Sequence, residues 1–113
     1  MEIGIDCVDI CRFKGIEKNK RLLAKIFTKK EVEYCISRRS HAQHFAVRFA
    51  AKEAVLKALM CYGESVPFNK IEIINGTNGK PEVNLIGRKH KFKCKISLSH
   101  SREIAMAQAL IIN

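Results

Sequence analysis

The sequence lacks tryptophan, has only two prolines and contains no C-x-x-C pair. Its five cysteines, at positions 7, 11, 35, 61 and 94, are an odd number, which argues against a disulfide framework and against a zinc ribbon. We expect reduced thiols in or near the core. No apolar run approaches the roughly 18 residues of a membrane span, and the N-terminus lacks the basic start of a secretory signal. The expected location is therefore the cytoplasm.

Acidic residues are scarce. The chain has 11 Asp and Glu against 21 Lys and Arg, a formal net charge of +10 over 113 residues. Such an excess predicts an acidic partner, and nucleic acid, an anionic membrane, a phosphorylated small molecule and an acidic protein all remain open. The basic residues crowd two segments, residues 12–39 and a loop over 88–95.

The length predicts one domain over residues 1–113 that needs neither disulfides nor a structural metal. Ile3, Ile5 and Cys7 alternate with Gly4, Asp6 and Val8, which predicts a strand with Asp6 on the face opposite the isoleucines. Residues 12–27 are predicted to be helical. Capping-box signals at 28–31 and 40–43 start a helix to about residue 36 and a long helix to 60 or 61, which Gly63 ends.

The pattern becomes extended after this glycine. Strands are predicted over 68–74, 82–86, 94–98 and 103–112, and the first two are joined by turn signals at 75–76 and 78–79. No βαβ repeat occurs. We therefore predict an α+β protein with an N-terminal strand, helices that include one long buried helix, and an antiparallel C-terminal β-meander.

The long helix is apolar on nearly all sides over residues 45–60, yet it carries Glu53 and Lys57 one turn apart, on a strip with Ala46 and Ala50. One interpretation is a surface pair worth about 0.2–0.5 kcal/mol. The other is a functional pair, because the two alanines would let a ligand approach the helix closely.

Two further polar features stand among apolar residues: Asp6 in the first strand and Ser99-His100-Ser101 at the end of the strand predicted over 94–98. Each has a structural alternative, as a turn residue or a hydrogen-bonded histidine. Together they suggest a common chemistry, because Mg²⁺ is commonly held by one or two carboxylates and substrate phosphates. Lys57 and His100 would then contact phosphate oxygens. This set favours phosphoryl transfer, and no P-loop, G-x-S-x-G or H-E-x-x-H motif points elsewhere.

Four segments carry a resemblance to a known family. They are Gly4-Ile5-Asp6, residues 48–54 (RFAAKEA) followed by Lys57-Ala58, Asn78-Gly79-Lys80-Pro81, and Ser97-Leu98-Ser99-His100-Ser101. In this order, over essentially the whole chain, they resemble the holo-acyl-carrier-protein synthases, the short 4′-phosphopantetheinyl transferases. The resemblance implies Mg²⁺-dependent transfer of the 4′-phosphopantetheine arm of coenzyme A to a serine of an acidic apo-acyl carrier protein, with release of adenosine 3′,5′-bisphosphate.

The resemblance also implies roles for individual residues. Asp6 and Glu53 match the metal ligands, and Lys57 matches a catalytic lysine that contacts the coenzyme phosphates. The general base is either Glu53 or a metal-bound water. The expected coenzyme contacts are Lys57, His100, Ser101, Arg48, Gly79, Lys80 and Pro81. Carrier-protein docking is expected at Arg12, Lys14 and Arg21, with Lys18 and Lys25 as further candidates.

Family members of this length form homotrimers with active sites between subunits, so a homotrimer is expected, and neither nucleic acid nor a membrane is the implied partner. Residues 59–64 depart from the family, because a glycine-rich turn is replaced by LMCYGE, with one glycine. The alternative from a different class is a basic, non-catalytic module that binds RNA or an acidic protein. The resemblance does not distinguish carrier proteins of fatty-acid synthesis from those of polyketide synthesis.

Overall fold

The computed structural model describes residues 1–88 and 92–113. Residues 89–91, which belong to the predicted basic loop over 88–95, lie outside the described residues. The helices are α1 (Lys20–Ile26), α2 (Lys29–Ser37) and α3 (His41–Met60), and short 3₁₀ turns span Ile10–Phe13, Ile16–Lys18 and Phe68–Lys70. The strands are β1 (Glu2–Asp9), β2 (Ile71–Asn75), β3 (Pro81–Leu85), β4 (Lys93–His100) and β5 (Ile104–Ile112).

The α+β class predicted from the sequence is confirmed, and the strands are antiparallel. The four strands after α3 are divided between two sheets: β1, β5 and β4 pair in that order, and β2 and β3 form a separate hairpin. The edge of β2 that does not pair with β3 is covered by a side chain from α2: the backbone N–H of Ile73 donates to the Glu31 carboxylate at 2.8 Å.

Helix α3 packs against one face of the three-stranded sheet. Its Ala50, Ala54 and Ala58 are fully buried, as are Ala105 and Ala109 of β5. Small side chains on both elements let the backbones approach closely. The closest approach is at Gly4 of β1, where a Cβ atom would lie 1.9 Å from the carbonyl oxygen of Ala54. Only glycine fits at this crossing.

The capping box at Thr28 and Glu31 is confirmed, with both hydrogen bonds present. The second predicted box is wrong: Ser40 has a left-handed backbone with φ 58°, and its side chain makes no capping bond. The helix predicted over 12–27 is interrupted because Gly15 is left-handed at φ 73°. The strand predicted from residue 68 begins only at Ile71, after a 3₁₀ turn.

The cysteines are free thiols, as predicted, but their location differs from the prediction. Cys35 is buried and Cys94 is partly buried, whereas three thiols are exposed: Cys7, Cys11 and Cys61. Burial raises the pKa of Cys35 to about 12 and that of Cys94 to about 11. Among the described residues, none of the helices has the length and apolar content that crossing a membrane requires.

Candidate active site

Asp6 lies on the face of β1 that packs against α3. The alternation of the strand buries Gly4 and Val8 on this face and leaves Ile3 and Ile5 62% and 58% exposed on the other. Asp6 is therefore opposite the isoleucines, as predicted, but the isoleucines face outward. The carboxylate has one oxygen, Oδ2, that is buried without a hydrogen-bond partner among the described residues.

Lys57 of α3 reaches this carboxylate. Its Nζ donates to Asp6 Oδ1 at 3.2 Å and to the carbonyl oxygen of Ile5 at 2.9 Å. The Lys57 side chain is 51% exposed and that of Asp6 is 15% exposed. The interpretation of Lys57 as a partner of Glu53 in a surface pair is therefore wrong, because the lysine pairs across to β1.

Glu53 lies one turn before Lys57 on α3 and is partly buried. Within residues 1–88 and 92–113, its carboxylate makes no ion pair or hydrogen bond. Gly4 touches the backbone of Ala54, the residue after Glu53, so β1 passes directly beside this turn of the helix. The site thus combines an unpartnered carboxylate on α3 with an unpartnered carboxylate oxygen on β1.

These groups fit a magnesium ion by their chemistry. Carboxylate oxygens are the ligands that Mg²⁺ prefers, and the ion usually keeps several waters and substrate phosphates. Asp6 Oδ2 is buried without a donor, a state that a cation would relieve. No group of three or more His, Cys, Asp or Glu side chains converges among the described residues, so these two carboxylates would be the protein's own contribution.

The charges that α3 buries are different from those that the sequence suggested. Lys52 and Arg48 are 0% and 5% exposed, whereas Lys57 is exposed and Glu53 is only partly buried. Lys52 Nζ lies 2.6 Å from Glu31 Oε1, and it also donates to the carbonyl oxygens of Phe68, at 2.9 Å, and Ile71. These three acceptors use all three N–H groups of the ammonium. Desolvation lowers the pKa of Lys52, and the Glu31 carboxylate opposes that shift.

The sequence contains a signal for this pair. Lys52 lies on a helix strip with the apolar residues Val55 and Leu59, although Glu31 is recognisable only as the capping-box residue of α2. A lysine on an apolar strip requires a buried partner. The partner lies 21 positions earlier in the chain, so helical periodicity alone does not find it.

Arg48 lies on the side of α3 opposite Lys57, because nine residues correspond to a half-turn offset of about 180°. Its guanidinium stacks on the ring of Tyr34 at 4.1 Å, and Arg38 covers the same ring at 4.8 Å. Arg48 Nε is buried and has no hydrogen-bond partner in the described part of the chain. The structure therefore places Arg48 in a basic cluster away from Asp6.

His100 of β4 lies near the N-terminal end of α3. Its Nε2 lies 3.1 Å from Nε2 of Gln43, and register places it beside Ala105 and Val8 on the helix-facing side of the sheet. The predicted capping residue Gln43 thus contacts β4 instead. Burial, then the positive charges of Arg48 and Arg38 and two further histidines, lowers the pKa of His44. We refer to this set as the α3 basic cluster; its members are Arg38, His41, His44, Arg48 and His100.

Ser101 is exposed at the turn between β4 and β5. Its Oγ accepts hydrogen bonds from the backbone N–H groups of Glu103 and Ile104 at 3.3 and 3.2 Å. Asp6 and His100 lie two strand spacings apart, with β5 between them, and two residues apart along the strands, which corresponds to roughly 12 Å. The predicted residues therefore form two groups in one chain, one around Asp6 and one around His100.

Gly79, Lys80 and Pro81 occupy a third location, at the turn of the hairpin between β2 and β3. Gly79 has φ 73°, and its N–H donates to the Gly76 carbonyl oxygen at 2.9 Å. Lys80 and Pro81 line a cleft of about 300 Å³ between β3 and β4, together with Lys93 and Lys95. Glu82 also lines the cleft, so three lysines against one carboxylate leave a net positive charge that suits a phosphate group.

The segment after α3, where the sequence departs from the family, forms a closed turn. Gly63 has φ 76°, and the N–H of Glu64 donates to the Leu59 carbonyl oxygen at 3.1 Å. Tyr62 packs on Phe92 with ring centroids 4.9 Å apart, and its hydroxyl donates to Ile111 O at 3.3 Å. An aromatic side chain thus fastens this turn to the sheet.

The predicted docking residues, Arg12, Lys14 and Arg21, are exposed, as are Lys18 and Lys25. All five lie in the 3₁₀ and α1 region that follows β1. None of them has an ion-pair partner within the described part of the chain. Their positive charge is therefore available to an acidic surface.

Comparison with known proteins gives a consistent result. Residues 2–109 match the model of the 4′-phosphopantetheinyl transferase superfamily. A holo-[acyl-carrier-protein] synthase of Geobacter sulfurreducens is 43% identical, covering 96% of this chain and 93% of that protein. The synthase of Helicobacter pylori in complex with coenzyme A has a TM-score of 0.81 at 26% identity, covering 97% and 99% of the chains. The synthase of Bacillus anthracis in complex with CoA (3′,5′-ADP) has a TM-score of 0.79 at 29% identity, covering 97% of this chain and 94% of that chain.

Proposed function

The chain belongs to the 4′-phosphopantetheinyl transferase superfamily, and from this premise we propose that it acts as a holo-acyl-carrier-protein synthase. It would transfer the 4′-phosphopantetheine arm of coenzyme A to a serine of an apo-acyl carrier protein and release adenosine 3′,5′-bisphosphate. The observation that carries the proposal is the placement of Asp6, Glu53 and Lys57 where β1 crosses α3, with Asp6 Oδ2 unpartnered.

The reaction is a phosphoryl transfer at the coenzyme diphosphate. The serine oxygen forms a bond to the phosphorus that carries the pantetheine arm, and the bond from that phosphorus to the bridging oxygen breaks. The bridging oxygen leaves with adenosine 3′,5′-bisphosphate. Such reactions depend on positioning and on stabilising negative charge, because the transition state spreads charge over the phosphoryl oxygens.

Lys57 suits the leaving-group side of this reaction. Its ammonium is half exposed and is held toward β1 by Ile5 O and Asp6 Oδ1, so it can contact a phosphate without losing its orientation. It would neutralise charge on the departing oxygen or donate a proton to it. Glu53 or a water molecule would accept the serine proton.

Asp6 and Glu53 would hold a magnesium ion, and that ion would supply charge neutralisation at the diphosphate when bound. Asp6 is held in place by its bond to Lys57, so Oδ2 keeps a fixed direction. The Glu53 carboxylate is free of protein partners among the described residues.

The remaining predicted coenzyme contacts are Arg48, His100, Ser101, Gly79, Lys80 and Pro81. The α3 basic cluster, which contains Arg48 and His100, favours a phosphate group, because five basic groups converge there with Arg48 Nε unpartnered. The lysines of the cleft at Lys80 offer a second site where an anion would bind. These roles are part of the proposal.

The acidic carrier protein would dock on the exposed basic residues at Arg12, Lys14 and Arg21. Charge complementarity of this kind raises the association rate and weakens with salt. The net charge of +10 agrees with an acidic partner.

We further propose that the functional form is a homotrimer with each active site between two subunits. The outer face of the sheet exposes a series of apolar side chains, which supports burial against another copy: Ile3, Ile5, Ile104, Met106 and Ile112. The separation of Asp6 from His100 in one chain is the second support, because a site between subunits would take Asp6 from one copy and His100 from another.

The site is tested by intact-mass measurement of an apo-acyl carrier protein incubated with the enzyme, coenzyme A and Mg²⁺. Wild type should add the mass of one phosphopantetheine arm, and Asp6→Asn and Glu53→Gln should reduce the rate at least 100-fold. Glu33→Gln, which changes an exposed carboxylate on α2, is the matched control. Full activity of both site variants would contradict the proposal.

The trimer is tested by mixing. Glu53→Gln and His100→Ala should each be inactive, but an equal mixture that has been allowed to exchange subunits should recover roughly one quarter of wild-type activity. That fraction reflects the chance that neighbouring subunits supply both intact groups. No recovery, in a sample that light scattering shows to be trimeric and exchanged, would contradict a shared site.

A further inference from the structure

An apolar groove lies outside the candidate active site. It occupies about 560 Å³ between α1, α2 and the segments around Asn69 and Ile86. This volume falls within the range of small-molecule sites. Its lining contains none of the residues assigned above to metal, coenzyme or carrier-protein binding, and none of the apolar residues of the outer sheet face.

The floor and walls of the groove are mainly hydrocarbon. They are formed by Leu23, Ala24, Phe27, Val32, Ile36 and Ile86. Leu23 and Phe27 belong to the core at 4% and 2% exposure, whereas Ile36 is 45% exposed. Folding therefore leaves apolar surface here open to solvent, and an alkyl chain would cover it.

The charged groups of the groove indicate the head group of the ligand. Lys20 and Lys29 line it, both are exposed, and neither forms an ion pair with the described residues. Glu17 also lines the groove, and its Oε1 lies 4.0 Å from Nδ1 of His41. Two positive groups against one negative group leave a net charge of +1, which favours an anion.

We propose that this groove binds a single-chain anionic amphiphile, with a fatty acid as its ligand. The alkyl chain lies along Leu23, Phe27 and Ile36, and the carboxylate is held by the lysines. The apolar lining comes from both α1 and α2, so a linear alkyl chain can contact both helices. The proposal does not depend on the transferase activity, because it uses no residue of the candidate active site.

The experiment is calorimetric titration of the full chain with sodium dodecanoate, below its micelle concentration, combined with amide chemical shifts. We expect saturable 1:1 binding per chain, with shifts concentrated in α1 and α2. Decanoate should bind about tenfold more weakly, because two buried methylenes are lost. Dodecanol should bind more weakly than dodecanoate, and the difference should shrink at high salt.

Matched variants locate the site. Ile36→Gln should weaken dodecanoate binding about fivefold or more, whereas Leu22→Gln, which changes an exposed apolar residue outside the groove, should not. The double variant Lys20→Gln with Lys29→Gln should weaken it about tenfold. Lys18→Gln with Lys30→Gln, which removes the same charge from residues outside the lining, is its control.

Several results would overturn the proposal. Equal weakening by the two lysine pairs would indicate attraction to net charge alone. Shifts confined to β1 and β5 would place the ligand on the outer sheet face. Binding to phosphatidylglycerol vesicles without binding to monomeric dodecanoate would indicate a membrane patch. Shifts in the groove with an apo-acyl carrier protein but not with dodecanoate would assign the groove to a protein helix.

Discussion

Removal of the Lys52 ammonium should be among the most damaging single changes to this fold. Lys52→Met keeps the length of the side chain but removes a charge that is 0% exposed and bonded to Glu31, Phe68 O and Ile71 O. The Glu31 carboxylate would then be buried with only the N–H groups of Thr28 and Ile73 as donors. The carbonyl oxygen of Ile71 would also lose its Lys52 donor, and that of Phe68 would keep only the backbone N–H of Ile71.

The magnitude follows from these partners. Breaking a buried ion pair by removing one member typically costs about 3–5 kcal/mol. The free energy of unfolding of a domain is about 5–15 kcal/mol, so roughly a fifth or more of the stability would disappear. For a chain of this length we expect Tm to fall by roughly 10–20 °C.

The assay is urea unfolding followed by circular dichroism, at one protein concentration, because association makes apparent stability depend on concentration. Lys30→Met on the exposed side of α2 should change the free energy of unfolding by no more than about 0.5 kcal/mol. The double variant Glu31→Gln with Lys52→Met should lose less free energy of unfolding than the two single variants lose together, and the difference should be about 1–3 kcal/mol. A loss below about 1 kcal/mol for Lys52→Met, or strict additivity, would refute the reasoning.

Three further predictions concern the strand crossing, the basic cluster and the thiols. Gly4→Ala should lower the free energy of unfolding by at least about 2 kcal/mol, because its Cβ would meet Ala54 O at 1.9 Å; near-wild-type stability in urea would contradict this. The lowered pKa of His44 means that the unfolded chain binds the proton more tightly, so stability should fall as pH drops below about 6.5, and His44→Gln should flatten that slope. Maleimide labelling followed by mass spectrometry should spare Cys35 and Cys94 until the protein is denatured, whereas rapid labelling of either would argue against the raised pKa values. Assembly through the outer sheet face should additionally protect Cys7 relative to the other exposed thiols, Cys11 and Cys61.

Local signals in the sequence predicted most elements, because the physics behind them is local. The Thr28 and Glu31 box, the stop at Gly63 and the alternation around Asp6 each depend on residues within one turn or strand. The division of the C-terminal strands was not predictable in this way. It depends on pairing between distant segments, because β5 lies between β1 and β4 and so joins strands from the two ends of the chain.

In the candidate site, too, local sequence signals predict some features and miss others. Helical periodicity placed Glu53 and Lys57 on one strip, and strand alternation gave the face of Asp6, so their meeting could be anticipated. The burial of Lys52 could not be anticipated in this way, because its partners are a carboxylate from α2 and the carbonyl oxygens of Phe68 and Ile71. Helical periodicity also does not show that Lys57 pairs with Asp6 and not with Glu53, because Asp6 lies 51 positions away in the sequence.

The distance between the Asp6 group and the His100 group is a consequence of β5 lying between β1 and β4. The order of the residues along the chain does not predict this separation. Both residues nevertheless lie on the same side of one sheet. The site between subunits that we propose would account for both groups. It would also bury the exposed apolar face of β1 and β5.

The most direct test of the account is a single reaction that measures both products. Wild-type protein, coenzyme A and Mg²⁺ are incubated with several apo-acyl carrier proteins, and intact mass and released adenosine 3′,5′-bisphosphate are quantified together. We predict that at least one carrier protein gains the mass of one phosphopantetheine arm and that the nucleotide appears in equal amount. An unchanged mass for every carrier protein, with the chain folded and the metal present, would contradict the proposed function.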